Sequence, residues 1–210
     1  MTDISNAELY RRCMVRIKHR IDAANTIANQ TRAVGGIIIT TEILALQIRK
    51  ILEGIALAGL CAHRQQYKDI RKRLEKEWQL SQIAPRLDQV NPHWYPTPLE
   101  NEDGPPDPKS GARPLITIKN GVLTKSEFIE MHGRMGQLLH EDNPIVGLES
   151  RNWEEEFKKF PDRLSRIMKL INKHEIQTQD GIFWIVQMHV VPDNRVVVNE
   201  FTDVGSVSNT

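Results

Sequence analysis

Ile43, Leu44, Leu46, Ile48, Ile51, Leu52, Ile55 and Leu57 follow one another at helical spacing and cover most of a helix's circumference. A helix that is apolar nearly all round has to be buried by other elements. The segment from Thr40 or Thr41 to about His63 is therefore expected at the centre of the fold. A membrane span is the first alternative to weigh. Glu42, Gln47, Arg49, Lys50 and Glu53 lie inside the stretch, and each charge at a bilayer centre costs roughly 2.5–3.5 kcal/mol on insertion scales. The reading is a buried bundle helix and no membrane partner.

The polar residues of such a helix carry information. Glu42, Arg49 and Glu53 stand at i, i+7 and i+11, on one stripe, and Arg49 and Glu53 form an i,i+4 pair. Charges in a buried helix either pair or face a cleft, and both alternatives stand at this point.

Gly35-Gly36 breaks this helix from an earlier one, expected from Ala7 to Arg32 with Asn6 as N-cap. Leu9, Cys13, Ile17, Ile21, Ala24 and Ala28 make its apolar stripe. Arg11, Arg12, Arg16, Lys18, His19 and Arg20 make its other face. That face reads as solvated charge or as a phosphate-binding patch, with Arg12, Arg16 and Arg20 as its nucleic-acid contacts. The formal net charge of the chain is +1, so any basic surface is local.

Further along, Gln65–Trp78 reads as a polar, salt-bridged helix, and Ser81–Val90 as a short one interrupted near Pro85. Seven prolines between Asn91 and Pro114 argue for an irregular loop, pinned to the bundle by Trp94 and Tyr95. Leu115–Ile118 and Val122–Leu123 read as two arms of a hairpin about Asn120-Gly121. Thr124-Lys-Ser-Glu127 is a capping box opening a helix to about His140, with Leu123 and Phe128 as its staple. Helix resumes from Trp153 to His174, with a break or a start at Pro161.

From Glu175 the period changes to two. Ile176–Thr178, Ile182–Val191 and Arg195–Phe201 read as a three-stranded antiparallel meander. The long middle strand is apolar on both faces, so helices are expected on one side and a further cover on the other, a second subunit being one candidate. The fold class is thus mainly α, a helical bundle with a small C-terminal three-stranded antiparallel β-meander. One domain spans 1–210, with the bundle over 6–174, the proline-rich loop at about 91–114, the meander over 175–203 and a loose tail over 204–210. Hydrophobic residues at 40% and charged residues at 26% suit such a globular chain.

Cys13 and Cys61 read as separate small buried hydrophobes. With no CxxC, HExxH, Walker A loop or GxGxxG in the chain, no metal or cofactor is expected. The opening Met-Thr-Asp-Ile-Ser has no apolar signal region, which predicts a cytoplasmic location.

One constellation points to chemistry. Arg134-Met-Gly-Gln-Leu-Leu-His140 places an arginine and a histidine with five residues between them at the end of the best-signalled helix. Glu141, Asp142 and Asn143 follow at once. Arg12…His19 and Arg86…His93 have similar spacing but lack that setting. The pattern resembles the R-x(4–6)-H signature of HEPN-like helical-bundle proteins, and the likeness covers roughly residues 6–174. Met135 departs from it, standing where many members carry a polar residue. The resemblance implies a metal-independent ribonuclease or RNA-binding protein, of the kind used in bacterial defence or toxin systems, with its site across a homodimer interface. It implies that Arg134 holds the scissile phosphate and His140 moves protons, roles that suit a guanidinium fork and an imidazole. Glu42, Arg49, Glu53 and Asn143 would be supporting polar groups. The alternative is a non-catalytic helical module that meets a protein partner. Convergence of Arg134, His140 and the Glu42/Arg49/Glu53 stripe in one cleft discriminates the two.

Overall fold

A computed structural model describes residues 4–30, 35–64, 80–109, 111–140, 151–178 and 182–202. The helix expected over Gln65–Trp78, Asn143 and the tail over 204–210 lie outside these residues.

Helix α1 runs Asn6–Ala28. Its cap is Ser5, one residue before the expected Asn6, and the Ser5 hydroxyl accepts from the Glu8 N–H at 3.2 Å. Gly35 and Gly36, with φ of 112° and 92°, then turn the chain. Helix α2 spans Ile37–Ala62. Thr40 and Thr41 lie inside it rather than capping it, and their hydroxyls donate back to the Gly36 and Ile37 carbonyls, each at 2.6 Å. α2 packs on α1 and on the later helices α3 (Leu80–Val90), α4 (Lys125–Leu138) and α5 (Trp153–Lys158). It is central but not buried all round, since Ile39, Leu46 and Leu57 remain 44%, 40% and 37% exposed. α3 continues through Pro85 without interruption. α4 starts on the expected capping box, and Leu123 and Phe128 both join the core. α5 is followed by α6 (Phe160–Ile171), with Pro161 in its first turn.

The expected mainly-α bundle with a three-stranded meander is corrected by the sheet, which makes the fold mixed α/β. Five antiparallel strands run in the order β2-β1-β3-β4-β5. They are β1 (Thr97–Asn101), β2 (Leu115–Thr117), β3 (Lys173–Gln177), β4 (Ile182–Val190) and β5 (Arg195–Thr202). β1 lies inside the proline-rich stretch read as a loop. It survives because only Thr97 and Pro98 pair with β3, while Leu99–Asn101 pair with β2. The Pro98 carbonyl, the group proline retains, accepts from Ile118 N–H at 3.0 Å. The Asn120-Gly121 turn closes no hairpin, because β2 takes its partner from the other side of residues 102–114. β3 begins at Lys173, so His174 belongs to the sheet and not to a helix end.

Along β4, Trp184, Val186 and Met188 point into the core. On the opposite face Phe183 stacks on Phe201, with ring centroids 5.5 Å apart and planes 15° from parallel. The inner face receives α1 and α6. Two buried polar links fix α1 there. Tyr10 and His174 are both fully buried, with Tyr10 Oη 2.7 Å from His174 Nε2. His174 Nδ1 lies 2.8 Å from the Ile171 carbonyl. A carbonyl only accepts, so Nδ1 carries the hydrogen and Nε2 accepts from Tyr10. The second link corrects Lys18, read as part of the solvated face. Its buried ammonium donates to the Met188 carbonyl at 3.2 Å, to the Asn194 side-chain oxygen at 2.9 Å, and to the Asn194 carbonyl.

Two outcomes are expected. Lys18→Met removes the ammonium donor from the buried Met188 carbonyl and from Asn194, and urea denaturation should show a loss of about 1–3 kcal/mol with the helical signal retained. Burial holds the His174 imidazole down at about 4, against an ordinary 6.5. The unfolded chain thus binds a proton that the folded chain refuses. Stability from this group is complete above pH 6.5 and falls as pH drops toward 4, by up to about 3 kcal/mol. Stability measured across that window should be flatter in His174→Asn than in the native protein.

Candidate functional site

The capping box sets where α4 begins, and its apolar residues Phe128, Met131, Met135 and Leu138 set which face turns inward. Arg134 then falls on the outer side. Its guanidinium meets Glu156 of α5, with Nη2 2.6 Å from Oε1, and Gln137, with Nη1 3.2 Å from Oε1. Glu156, and not the Glu130 that spacing suggests, is its partner. The Glu156 side chain is only 6% exposed and also accepts from Arg163 at 2.8 Å and Lys159 at 3.1 Å. Burial pushes this carboxyl up, but the three cations outweigh it and hold it at about 2. His140 lies beyond the helix end and is exposed, with its backbone N–H on the Gln137 carbonyl at 3.4 Å. No hydrogen bond joins Arg134 to His140.

The stripe on α2 partly converges with α4. Arg49 Nε sits 3.2 Å from Glu53 Oε1, and Lys50 Nζ sits 2.7 Å from Oε2. His132 Nε2 approaches the same Oε1 at 3.4 Å. Gly136, one turn after His132, makes room for Arg49, because a Cβ there would lie 3.1 Å from Nη1. Burial raises the Glu53 carboxyl, yet Lys50, Arg49 and His132 leave it below its ordinary value. Burial drives His132 the other way from Glu53 and wins, so the imidazole favours its neutral form. Glu42 lies two turns before Arg49 and takes no part in this cluster. His132 does not figure among the residues singled out by spacing. The available signal was the His132/Gly136 pair at i,i+4, which puts a histidine and a side-chain gap on one side of α4.

The three α1 arginines expected as nucleic-acid contacts, Arg12, Arg16 and Arg20, separate. Arg12 is taken by Glu8 at 2.9 Å, and Glu8 also binds Arg11 at 2.7 Å. These hydrogen bonds hold the Glu8 carboxyl at about 2. Arg16 and Arg20 face a cleft of about 480 Å³ between α1, α2 and the start of α3. Lys50 and Glu53 stand on its other wall, and Ile17, Leu57, Leu80 and Ile83 give it an aliphatic lining. Arg20 donates there to the neutral Gln47 Oε1 at 3.0 Å and not to a carboxylate. Among the described residues the cleft therefore carries three cations against one carboxylate. Among the described residues no cluster of histidine, cysteine and carboxylate groups is able to hold a metal ion. No helix among them is long and apolar enough to cross a membrane.

No family model, curated protein or solved structure matches the chain. The HEPN-like resemblance therefore rests on the Arg134…His140 pattern alone.

Glu156 should prove structural. Glu156→Ala leaves Arg134, Arg163 and Lys159 facing one another. Because two of those cations are well exposed, thermal or urea unfolding should show a loss of about 2 kcal/mol rather than the full cost of a deeply buried pair.

Proposed function

We propose that the protein is a binding module for a small anionic ligand with a compact apolar body, held in the cleft between α1 and α2. One observation carries this reading: Arg16, Arg20 and Lys50 converge over an aliphatic floor in about 480 Å³. That volume and that mixture, mostly apolar with a few convergent charges, suit a small-molecule site. The guanidinium forks of Arg16 and Arg20 suit a phosphate or carboxylate head. The Glu53–His132–Arg49 cluster buttresses the wall that presents Lys50. The cleft's described lining contains no aromatic side chain on which a nucleobase would stack, and such stacking is the usual basis of single-strand binding. The cleft volume of about 480 Å³ is on the small-molecule scale. A cytoplasmic setting belongs to the same proposal.

The ribonuclease reading has less support. Arg134 would have to leave a buried carboxylate to reach a phosphate, and among the described residues no side chain orients His140. A dimer that rebuilt the pair across its interface would restore the case.

Calorimetric titration with hexyl phosphate and, separately, with a single-stranded RNA oligonucleotide tests the proposal. Hexyl phosphate should bind saturably to the native protein. Arg16→Glu, an exposed change, should weaken it about tenfold or more, the equivalent of about 1.4 kcal/mol. Binding that ignores Arg16→Glu would remove the cleft from consideration. RNA cleaved by native protein in a chelator, with loss in both Arg134→Ala and His140→Ala, would replace this reading by the nuclease.

A further inference from the structure

Cys13 and Cys61 are the only cysteines of the chain, and their positions leave them far apart in sequence. The fold brings them together. α1 and α2 run antiparallel, which the successive contacts Arg20–Gln47, Ile17–Gly54 and Cys13–Cys61 trace from one end to the other. The two helices approach closely, since a Cβ on Gly54 would lie 3.0 Å from Ile17 Cγ1. At the far end of this seam the two sulfur atoms stand 4.0 Å apart, and both cysteines are free and only half-buried. Cys13 also lines the cleft, one helical turn from Arg16, so a small solute in the cleft meets its sulfur.

We propose that Cys13 and Cys61 form a reversible intramolecular disulfide that ties α1 to α2, with a hydroperoxide as oxidant. A disulfide needs sulfur atoms about 2.05 Å apart, so its formation requires the two side chains to turn toward each other from 4.0 Å. The chemistry is assigned to the two residues as follows. The Cys13 thiolate attacks the near oxygen of hydrogen peroxide. An S–O bond forms, the O–O bond breaks, and hydroxide leaves and takes up the thiol proton as water. Cys13 is then a sulfenic acid. The Cys61 sulfur attacks it, the S–S bond forms, the S–O bond breaks, and the departing hydroxide takes the Cys61 proton as a second water. Two thiols and one peroxide thus give one disulfide and two waters, with the sulfurs oxidised by two electrons together and the peroxide reduced by two. A dithiol reductant reverses the step by exchange. The hydrogen bond from Cys61 and the charge of Arg16 outweigh burial and lower the Cys13 thiol, which favours Cys13 as the attacking sulfur.

Cys13 is the sulfur exposed to the cleft, and Cys61 is the one that resolves it. This division of roles does not rest on what ligand the cleft holds. Full-length protein treated with a modest excess of hydrogen peroxide should lose two hydrogen masses by intact mass spectrometry. Both free thiols should disappear together, and a non-reduced digest should contain one cross-linked peptide joining the Cys13 and Cys61 segments. Dithiothreitol should restore the starting mass. In Cys61→Ser the sulfenic acid on Cys13 should persist and be captured by dimedone, while native protein gives no adduct. Sulfinic or sulfonic acid on Cys13 without the cross-linked peptide would overturn the proposal, as would disulfide-linked dimers or unchanged thiols. The native-protein measurements decide the matter even where the serine variant folds poorly.

Discussion

The ammonium of Lys18 lies under the turn between β4 and β5, surrounded by oxygen atoms and, among the described residues, paired with no carboxylate. Taking an ammonium out of water is costly unless its hydrogens find acceptors. Here two backbone carbonyls and one side-chain amide supply them, and they do so only when α1 sits at one height above the sheet. Tyr10, a little over two turns earlier on α1, repeats the condition through His174. Apolar contacts alone would tolerate a helix sliding along its axis. Two polar links of this kind do not, because a shift of one residue would strand a buried ammonium and a buried hydroxyl together. The sandwich of α2, α1 and sheet takes its register from them, and the cleft between α1 and α2 inherits that register.

Charge placement follows from the same economy of burial. The chain is nearly neutral in total, yet its cations are unequally matched. Arg12 faces Glu8, Arg49 faces Glu53 and Arg134 faces Glu156. Arg20 meets only an amide, and Lys50 shares Glu53 with two other groups. Cations without a full carboxylate partner thus stand on the walls of this cleft, although nothing in the overall composition announces it. A carboxylate that binds three partners neutralises each of them only in part, so a ligand anion at that wall has something to gain.

What was legible in the sequence was local. The capping box at Thr124, the break at Gly35-Gly36, the apolar stripe of α1 and the Arg49–Glu53 pair all depend on residues within two turns of one another, and the periodicity of a helix encodes such relations directly. The sheet was not legible in the same way. Its central pairing joins Thr97 to Glu175 and Pro98 to His174, and no local pattern states which distant strand a segment will choose. The prolines hid β1 because they bar a helix more strongly than they bar a short strand. The candidate site divides along the same line. Arg49 and Glu53 were visible as a pair, whereas Glu156, His132 and the meeting of Cys13 with Cys61 arise only when helices distant in sequence are laid side by side. Lys18 was misassigned for a related reason: a lysine among arginines reads as surface until its acceptors, some 170 residues later, are in place.

That separation bears on how the molecule is made. The groups that satisfy Tyr10 and Lys18 reside at His174, Met188 and Asn194, so a ribosome releases α1 long before it releases the partners of α1's buried polar atoms. During synthesis α1 and α2 can pair as a helical hairpin, but the face bearing Tyr10 and Lys18 must stay in water until the β4–β5 turn has emerged. The early chain thereby lacks the acceptors that closing its core would require, and dehydration of the ammonium waits for the β4–β5 turn.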